Sequence, residues 1–339
     1  EEGKQLIPRW NGALRQLELP RIPWALLIIA VVGAITFVAV WPWLWHDTFD
    51  RIAEYIRFHR KHEHYPVSYG HQILVAPPFP LHFPWVMSLL TLPSPTLLLG
   101  AAGLWLATLD LVDGRARAER ALLLAGTLLP IVLISAPSTP VFGGTKHWFN
   151  ALPGLCVLAA WALERGVREL LKDRGQGAAQ LAALIIVALP GLAGAIRTHP
   201  NGLAFYNELA GGVRGGAELG MQRAFWGYVN HPLLEHLPEG SRVFFNRTNY
   251  DSYRRYRDEG YLPRGVRPAS SVQTADVALT FEQPEHAETE GEIWQHLGTR
   301  PVAGVYQDNV TLGQMYVKDR SSAAPERVAG SLSSSEIIE

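Results

Sequence analysis

Asp, Glu, Lys and Arg are absent from five long stretches of the chain: Ala25–His46, Tyr65–Leu109, Ala121–Thr145, His147–Leu163 and Gly175–Ile196. A helix that crosses about 30 Å of hydrocarbon needs roughly 17–25 apolar residues, so each stretch holds room for one span. The predicted spans are Trp24–Trp41, Pro95–Leu111, Ala121–Ala136, Trp148–Leu163 and Ala178–Ile196. Phe83–Leu92 is too short to span and reads as re-entrant or interfacial, because Pro77-Pro78, Pro80 and Pro84 interrupt any longer helix before it. Between Phe49 and His59, apolar positions (Phe49, Ile52, Tyr55, Ile56) recur at helical spacing among Asp50, Arg51, Glu54 and Arg57, which predicts an amphipathic helix on a membrane surface.

From Arg197 the pattern changes to mixed and charged. It predicts strands at Arg242–Asn246, Ala275–Thr280, Val302–Tyr306 and Gln314–Val317, with a helix over Tyr250–Glu259. The expected fold is a mainly α-helical polytopic membrane protein of about five transmembrane helices with a small C-terminal α/β extracytoplasmic domain. The expected divisions are a transmembrane region 1–196 with an outer loop 42–94, an α/β domain 197–319, and a disordered, Ser- and Glu-rich tail 320–339.

Charge sets the expected orientation. Lys4, Arg9, Arg15 and Arg21 precede the first span, Arg115, Arg117 and Arg120 follow the second, and Arg165, Arg168, Lys172 and Arg174 follow the fourth. All fall on one side, which the positive-inside rule makes cytoplasmic, so the N-terminus is expected there and the C-terminal domain outside. A net charge of -1 excludes a global basic field, and with it electrostatic support for a nucleic-acid partner. The lone Cys156 excludes an intramolecular disulfide. The chain starts Glu1-Glu2-Gly3 without a signal-peptide pattern and reads as a fragment of a longer protein.

Three groups carry candidate chemistry. His59, His62 and His64 with Glu63 have the donor types for a zinc or manganese ion, but not a closed zinc spacing, and equally suit the water face of a surface helix; no cofactor is firmly implied. His71 lies further along the same loop. The run Ser138–Trp148 contains Gly143-Gly144, where backbone amides can approach a ligand, followed by Lys146 and His147, donors suited to a phosphate; the alternative is a snorkelling interfacial lysine. Tyr206-Asn207, Gly211-Gly212, Gly215-Gly216 and Phe225-Trp226-Gly227 combine aromatic faces with amides, as carbohydrate sites do, yet read more simply as a packed linker.

Trp41-Pro42-Trp43-Leu44-Trp45, Tyr55, Phe58, His59, His62, Tyr69-Gly70, Pro77-Pro78, the Gly143–His147 loop, His199-Pro200 and Tyr206-Asn207 together resemble the C-terminal half of bacterial glycosyltransferases of family 39, the protein O-mannosyltransferase and aminoarabinose-transferase-like group with the GT-C fold. The resemblance extends over roughly Trp41 to Trp226. It implies a bacterial inner-membrane enzyme that moves a sugar from a polyprenyl-phosphate donor to a glycan, lipid or protein acceptor at the outer face. In that family the catalytic carboxylate lies in a first outer loop that has no counterpart here, so this part alone is expected to be inactive. The residues expected to contact the lipid phosphate are Lys146, His147, His59, His62 and His71. The competing expectation is a noncatalytic membrane protein whose outer domain binds a glycan, a lipid or a protein.

Overall fold

A computed structural model describes residues 24–60, 64–114, 118–171, 176–246, 250–283, 286–318 and 326–329. Helix predominates, and strands are confined to one hairpin and one six-stranded sheet.

All five expected spans are helical: α1 (Trp24–Val40), α4 (Ser94–Val112), α5 (Ala118–Ile134), α6 (Leu152–Leu171) and α7 (Gln176–Thr198). Two of them, over Ser94–Val112 and Gly177–Thr198, are long and apolar enough to cross a membrane, and Leu26–Val40 is a shorter apolar helix. The other two are interrupted by charge. Helix α5 opens with Glu119 and Arg120, and the second half of α6 carries Glu164, Arg165, Arg168 and Glu169. Pro42 ends α1, since it supplies no amide to continue the ladder. A short 3-10 turn then leads into α2 (Thr48–Arg60), the expected amphipathic helix, which buries none of its residues. Arg51 sits over the Trp43 ring at 5.3 Å and Tyr55 meets Trp41 edge-on at 5.4 Å, so α2 is fastened back to the end of α1.

Helices α4, α5 and α6 approach closely because small residues line their contacts. A Cβ on Gly103 would lie 2.2 Å from the Leu158 carbonyl oxygen, and one on Gly154 would lie 2.2 Å from the Thr127 hydroxyl. Small residues at such crossings let backbones pack by van der Waals contact. At one end of this trio Arg120 pairs with buried Asp110 and lies 4.9 Å over the Trp161 ring, linking all three helices.

The loop after α2 forms a hairpin, β1 (Val67–Tyr69) with β2 (Gln72–Leu74), followed by α3 (Phe83–Thr91). The segment expected to be re-entrant or interfacial contains a nine-residue helix with Phe83, Pro84, Met87 and Ser88 buried. One apolar core joins Val67, Tyr69, Phe83 and Met87 to Ile131, Trp148, Tyr206, Ala210 and Met221. Residues 205–222, which include α8 (Gly212–Glu218), therefore bridge two cores: Val213 packs with Phe281, Val310 and Leu312 of the sheet, while Tyr206, Ala210 and Met221 pack with the loop. Polar groups fix the loop side. Asn207 donates to the Leu89 and Leu92 carbonyls at 2.6 Å each, capping α3, and the Tyr206 hydroxyl donates to the Gln222 carbonyl at 2.7 Å.

The sheet is ordered β4-β3-β5-β7-β6-β8, from β3 (Arg242–Phe245), β4 (Arg267–Pro268), β5 (Val277–Phe281), β6 (Ala303–Gln307), β7 (Val310–Val317) and β8 (Glu326–Ala329). Pairs β3/β4, β3/β5 and β6/β8 are parallel; β5/β7 and β6/β7 are antiparallel. Helix α9 (Tyr250–Asp258) links β3 to β4, and α10 (Ala287–Leu297) links β5 to β6. Central β5 is buried throughout, as its unbroken Val-Ala-Leu-Thr-Phe run requires. One face packs on Leu233, Leu234 and Leu237, the other on Ile293 and Leu297 of α10.

One expectation needs correcting here. The tail from Arg320 was expected to be disordered throughout, but Glu326–Ala329 runs parallel to β6 as an edge strand. Backbone ladder bonds at a sheet edge do not require an apolar sequence, so composition alone missed it.

Candidate functional site

The Ser138–Trp148 run builds the centre around Lys146. Gly143 and Gly144 both take left-handed backbone angles, φ +67° and +65°, which turn the chain into a 3-10 helix over Gly144–Ala151. With three residues per turn, such a helix puts positions three apart on one side. Trp148 and Ala151 point into the core, where the Trp148 indole donates to the Ser88 hydroxyl at 2.8 Å, while Lys146 and Phe149 stay exposed.

Two aromatic rings hold the Lys146 ammonium. Its Nζ lies 4.2 Å from the centroid of Phe142 and 5.1 Å from that of Trp226. Rings attract a cation through their negative faces. Among the described residues no carboxylate pairs with it, and burial lowers its pKa from the usual lysine value. Trp226 comes from the run after α7 and has φ +57°, a backbone angle uncommon for a bulky residue. It is seated against the Gly143 turn: a Cβ on Gly143 would lie 2.6 Å from the Trp226 ring. At the next residue, a Cβ on Gly227 would lie 2.7 Å from the Phe281 ring of β5. The Lys146 centre is therefore assembled from the Gly-Gly turn, the post-α7 run and, behind them, the sheet.

The other sequence-predicted residues fall as follows. His147 is adjacent, with its ring edge-on to Phe142 at 4.8 Å. His59 ends α2, where Nδ1 meets the Tyr55 carbonyl at 2.8 Å and the ring lies against Tyr55 at 4.1 Å. His71 occupies the β1–β2 turn with φ +63°, its amide bonded to the Gly220 carbonyl at 3.4 Å. His62, like Glu63, lies outside the described residues. Lys146 and His147 thus share one aromatic cluster through Phe142, while the contacts of His59 and His71 are made elsewhere.

Sequence reasoning did not place His64 or Tyr65 in this cluster. The His64 ring lies 4.3 Å from Phe79 and 6.4 Å from Phe142, and Tyr65 meets Phe142 at 5.3 Å. His64 Nε2 is bonded to the Leu74 carbonyl at 2.8 Å, whereas its buried Nδ1 has no partner among the described residues; burial lowers its pKa. Among the described residues no three His, Cys, Asp or Glu side chains are grouped to hold a metal.

Gln222 links the β1–β2 hairpin to this centre. Its Oε1 accepts from the Ser68 amide at 2.9 Å and its Nε2 donates to the Ala224 carbonyl at 2.8 Å, so it ties the hairpin to the run that delivers Trp226. The next residue, Arg223, pairs with Glu282 at 3.7 Å; burial raises the Glu282 pKa, and Glu290 is raised by burial and by Glu282.

Fold and site together define a mainly helical protein carrying two helices long and apolar enough to cross a membrane and a small mixed sheet at its C-terminal end. No family model, curated protein or solved structure matches the chain.

Proposed function

We propose that this chain is the C-terminal part of a polytopic membrane glycosyltransferase of GT-C type, which passes a sugar from a polyprenyl-phosphate donor to an acceptor at the extracytoplasmic face. The observation that carries the reading is Lys146: a cation with no carboxylate partner among the described residues, held between two rings on a Gly-Gly turn. A partially desolvated ammonium is suited to binding a phosphate and to stabilising the charge that grows on it as the glycosidic bond breaks. The exposed side chains of α7, among them Leu181, Leu184, Ile185, Ile186, Leu189 and Ile196, support a lipid-facing helix, since apolar surface of that extent is rarely left to water. In this reading His147 assists at the phosphate, and the sheet lies outside the cytoplasm. The carboxylate that deprotonates the acceptor is not assigned to any residue of this chain.

The test is binding of undecaprenyl phosphate to the purified chain in lipid nanodiscs, paired with sugar transfer in membranes carrying the full-length gene product. Lys146→Ala should weaken phosphate binding by roughly tenfold, a charge-assisted contact of about 1.5 kcal/mol, and depress transfer at matched expression. Undiminished binding in the variant would sink the phosphate assignment. Transfer absent from the native protein with every polyprenyl-phosphate sugar would favour a noncatalytic role instead.

A further inference from the structure

A concave site lies at the junction of α7 with the α/β unit. It is an open cleft of about 360 Å³, lined by Pro200, Asn201, Tyr228, His231, Pro232 and Tyr256. That volume is at the small end of the roughly 300–1,000 Å³ typical of small-molecule sites. The prolines make stiff walls, and three rings supply faces: His231 lies 6.0 Å from Tyr256 and stacks edge-on at 4.5 Å against Tyr261 behind it.

None of these lining residues is Asp, Glu, Lys or Arg, so among the described residues the lining supplies no permanent counter-charge for a phosphate, carboxylate or amine. What it offers is ring faces bordered by the Tyr256 phenol and the exposed His231 imidazole, which both donate and accept hydrogen bonds, while the Tyr228 hydroxyl and Asn201 are buried. A ligand matched to this must be small and neutral, with one apolar face and a hydroxyl-bearing edge. A pyranose has that form. Its axial C–H groups carry partial positive charge and pack on the negative faces of aromatic rings, while its hydroxyls bond to the rim. We infer that this cleft is a binding site for a neutral saccharide unit, held against Tyr228, His231 and Tyr256.

The cleft is coupled to the Lys146 centre through the chain itself. Trp226 stacks on Lys146, Tyr228 lines the cleft, and Gly227 between them is pressed against Phe281, leaving no space for a Cβ. Saccharide binding itself does not depend on the transferase reading.

The experiment is saturation-transfer NMR on the chain in nanodiscs with maltose and methyl α-mannopyranoside, alongside glucose 6-phosphate, glucosamine and uridine. Native protein should show transfer to the neutral sugars, and Tyr256→Ala and His231→Ala should each weaken maltose binding by about tenfold. Gly126→Ala, where no heavy atom lies within 4 Å of the added Cβ, should leave it unchanged, and because neither neutral sugar carries a phosphate the result is separate from the phosphate test. His231 is exposed, so its variant decides the matter if Tyr256→Ala alters the thermal melt. No transfer to either neutral sugar, equal binding by native and His231→Ala protein, or stronger binding of uridine or of the charged sugars would each overturn the assignment.

Discussion

Gln222 shows how one uncharged residue organises the site. It is buried, and both ends of its amide are used, by the Ser68 amide and the Ala224 carbonyl. Replacing it by Leu keeps the volume close but leaves those two backbone groups without partners in the interior. Each buried orphan costs about 1–3 kcal/mol, so Gln222→Leu should lower the thermal midpoint in nanodiscs and loosen the Trp226 contact with Lys146. An unchanged midpoint would show that the hairpin is held without it. At this scale the sequence was partly readable. The Gly143-Gly144-Thr145-Lys146 string identified a turn beside a cation, but nothing local indicated that Trp226, eighty residues further on, would provide one of its two rings.

At the scale of elements, the contact between α4 and α6 depends on glycines the chain cannot enlarge. Gly103→Val would drive side-chain atoms into the Leu158 carbonyl of α6, a backbone atom that cannot move aside. Overpacking of this kind costs about 1–3 kcal/mol or more, so the variant should melt several degrees lower. Gly126→Ala is the matched control, because no heavy atom lies within 4 Å of its Cβ position, and it should melt like the native chain. Equal melting of both variants would mean the close approach is not what holds the helices together. Long apolar runs made α1, α4, α5, α6 and α7 legible, and β-branched runs did the same for β3, β5 and β6. Helix α10 was missed because Ala-Glu-Thr-Glu-Gly-Glu presents only Ile293 and Leu297 to the sheet. The extended start of β7 was missed because its two-residue turn, Asp308-Asn309, carries positive φ at both positions without a glycine to announce it.

At the scale of the whole molecule, opposing titrations should shape the response of the α/β unit to acid. Glu282 and Glu290 have pKa values raised by burial, so protons bind the folded unit more tightly than the unfolded chain. Stability should therefore rise as pH falls from neutral through their raised values toward the ordinary carboxylate range of about 4.3. Asp276 acts in the other direction. Its pKa is lowered by hydrogen bonds from Arg242, so the stability it contributes is present above its ordinary value and is lost as pH falls through the lowered one. The measurement is the melting midpoint of the sheet against pH, expected to pass through a maximum on the mildly acidic side. Glu290→Gln should flatten the neutral-side slope; an unchanged slope would remove Glu290 from the account.

By itself the sequence determined the long apolar helices, the amphipathic α2, and α9, because hydrophobic runs and prolines act locally on the backbone, and it determined most strands of the C-terminal unit for the same reason. It also marked Lys146 as a cation on a glycine turn. Tertiary structure decided which elements share a core: residues 205–222 join the loop through Tyr206, Ala210 and Met221 and the sheet through Val213, and Glu326–Ala329 adds an edge strand. It also decided that Lys146 is held by Phe142 and Trp226 and that Pro200, Tyr228 and Tyr256 enclose one cleft. Local preference sets φ and ψ residue by residue, but contacts between distant residues arise only when buried surfaces match in three dimensions.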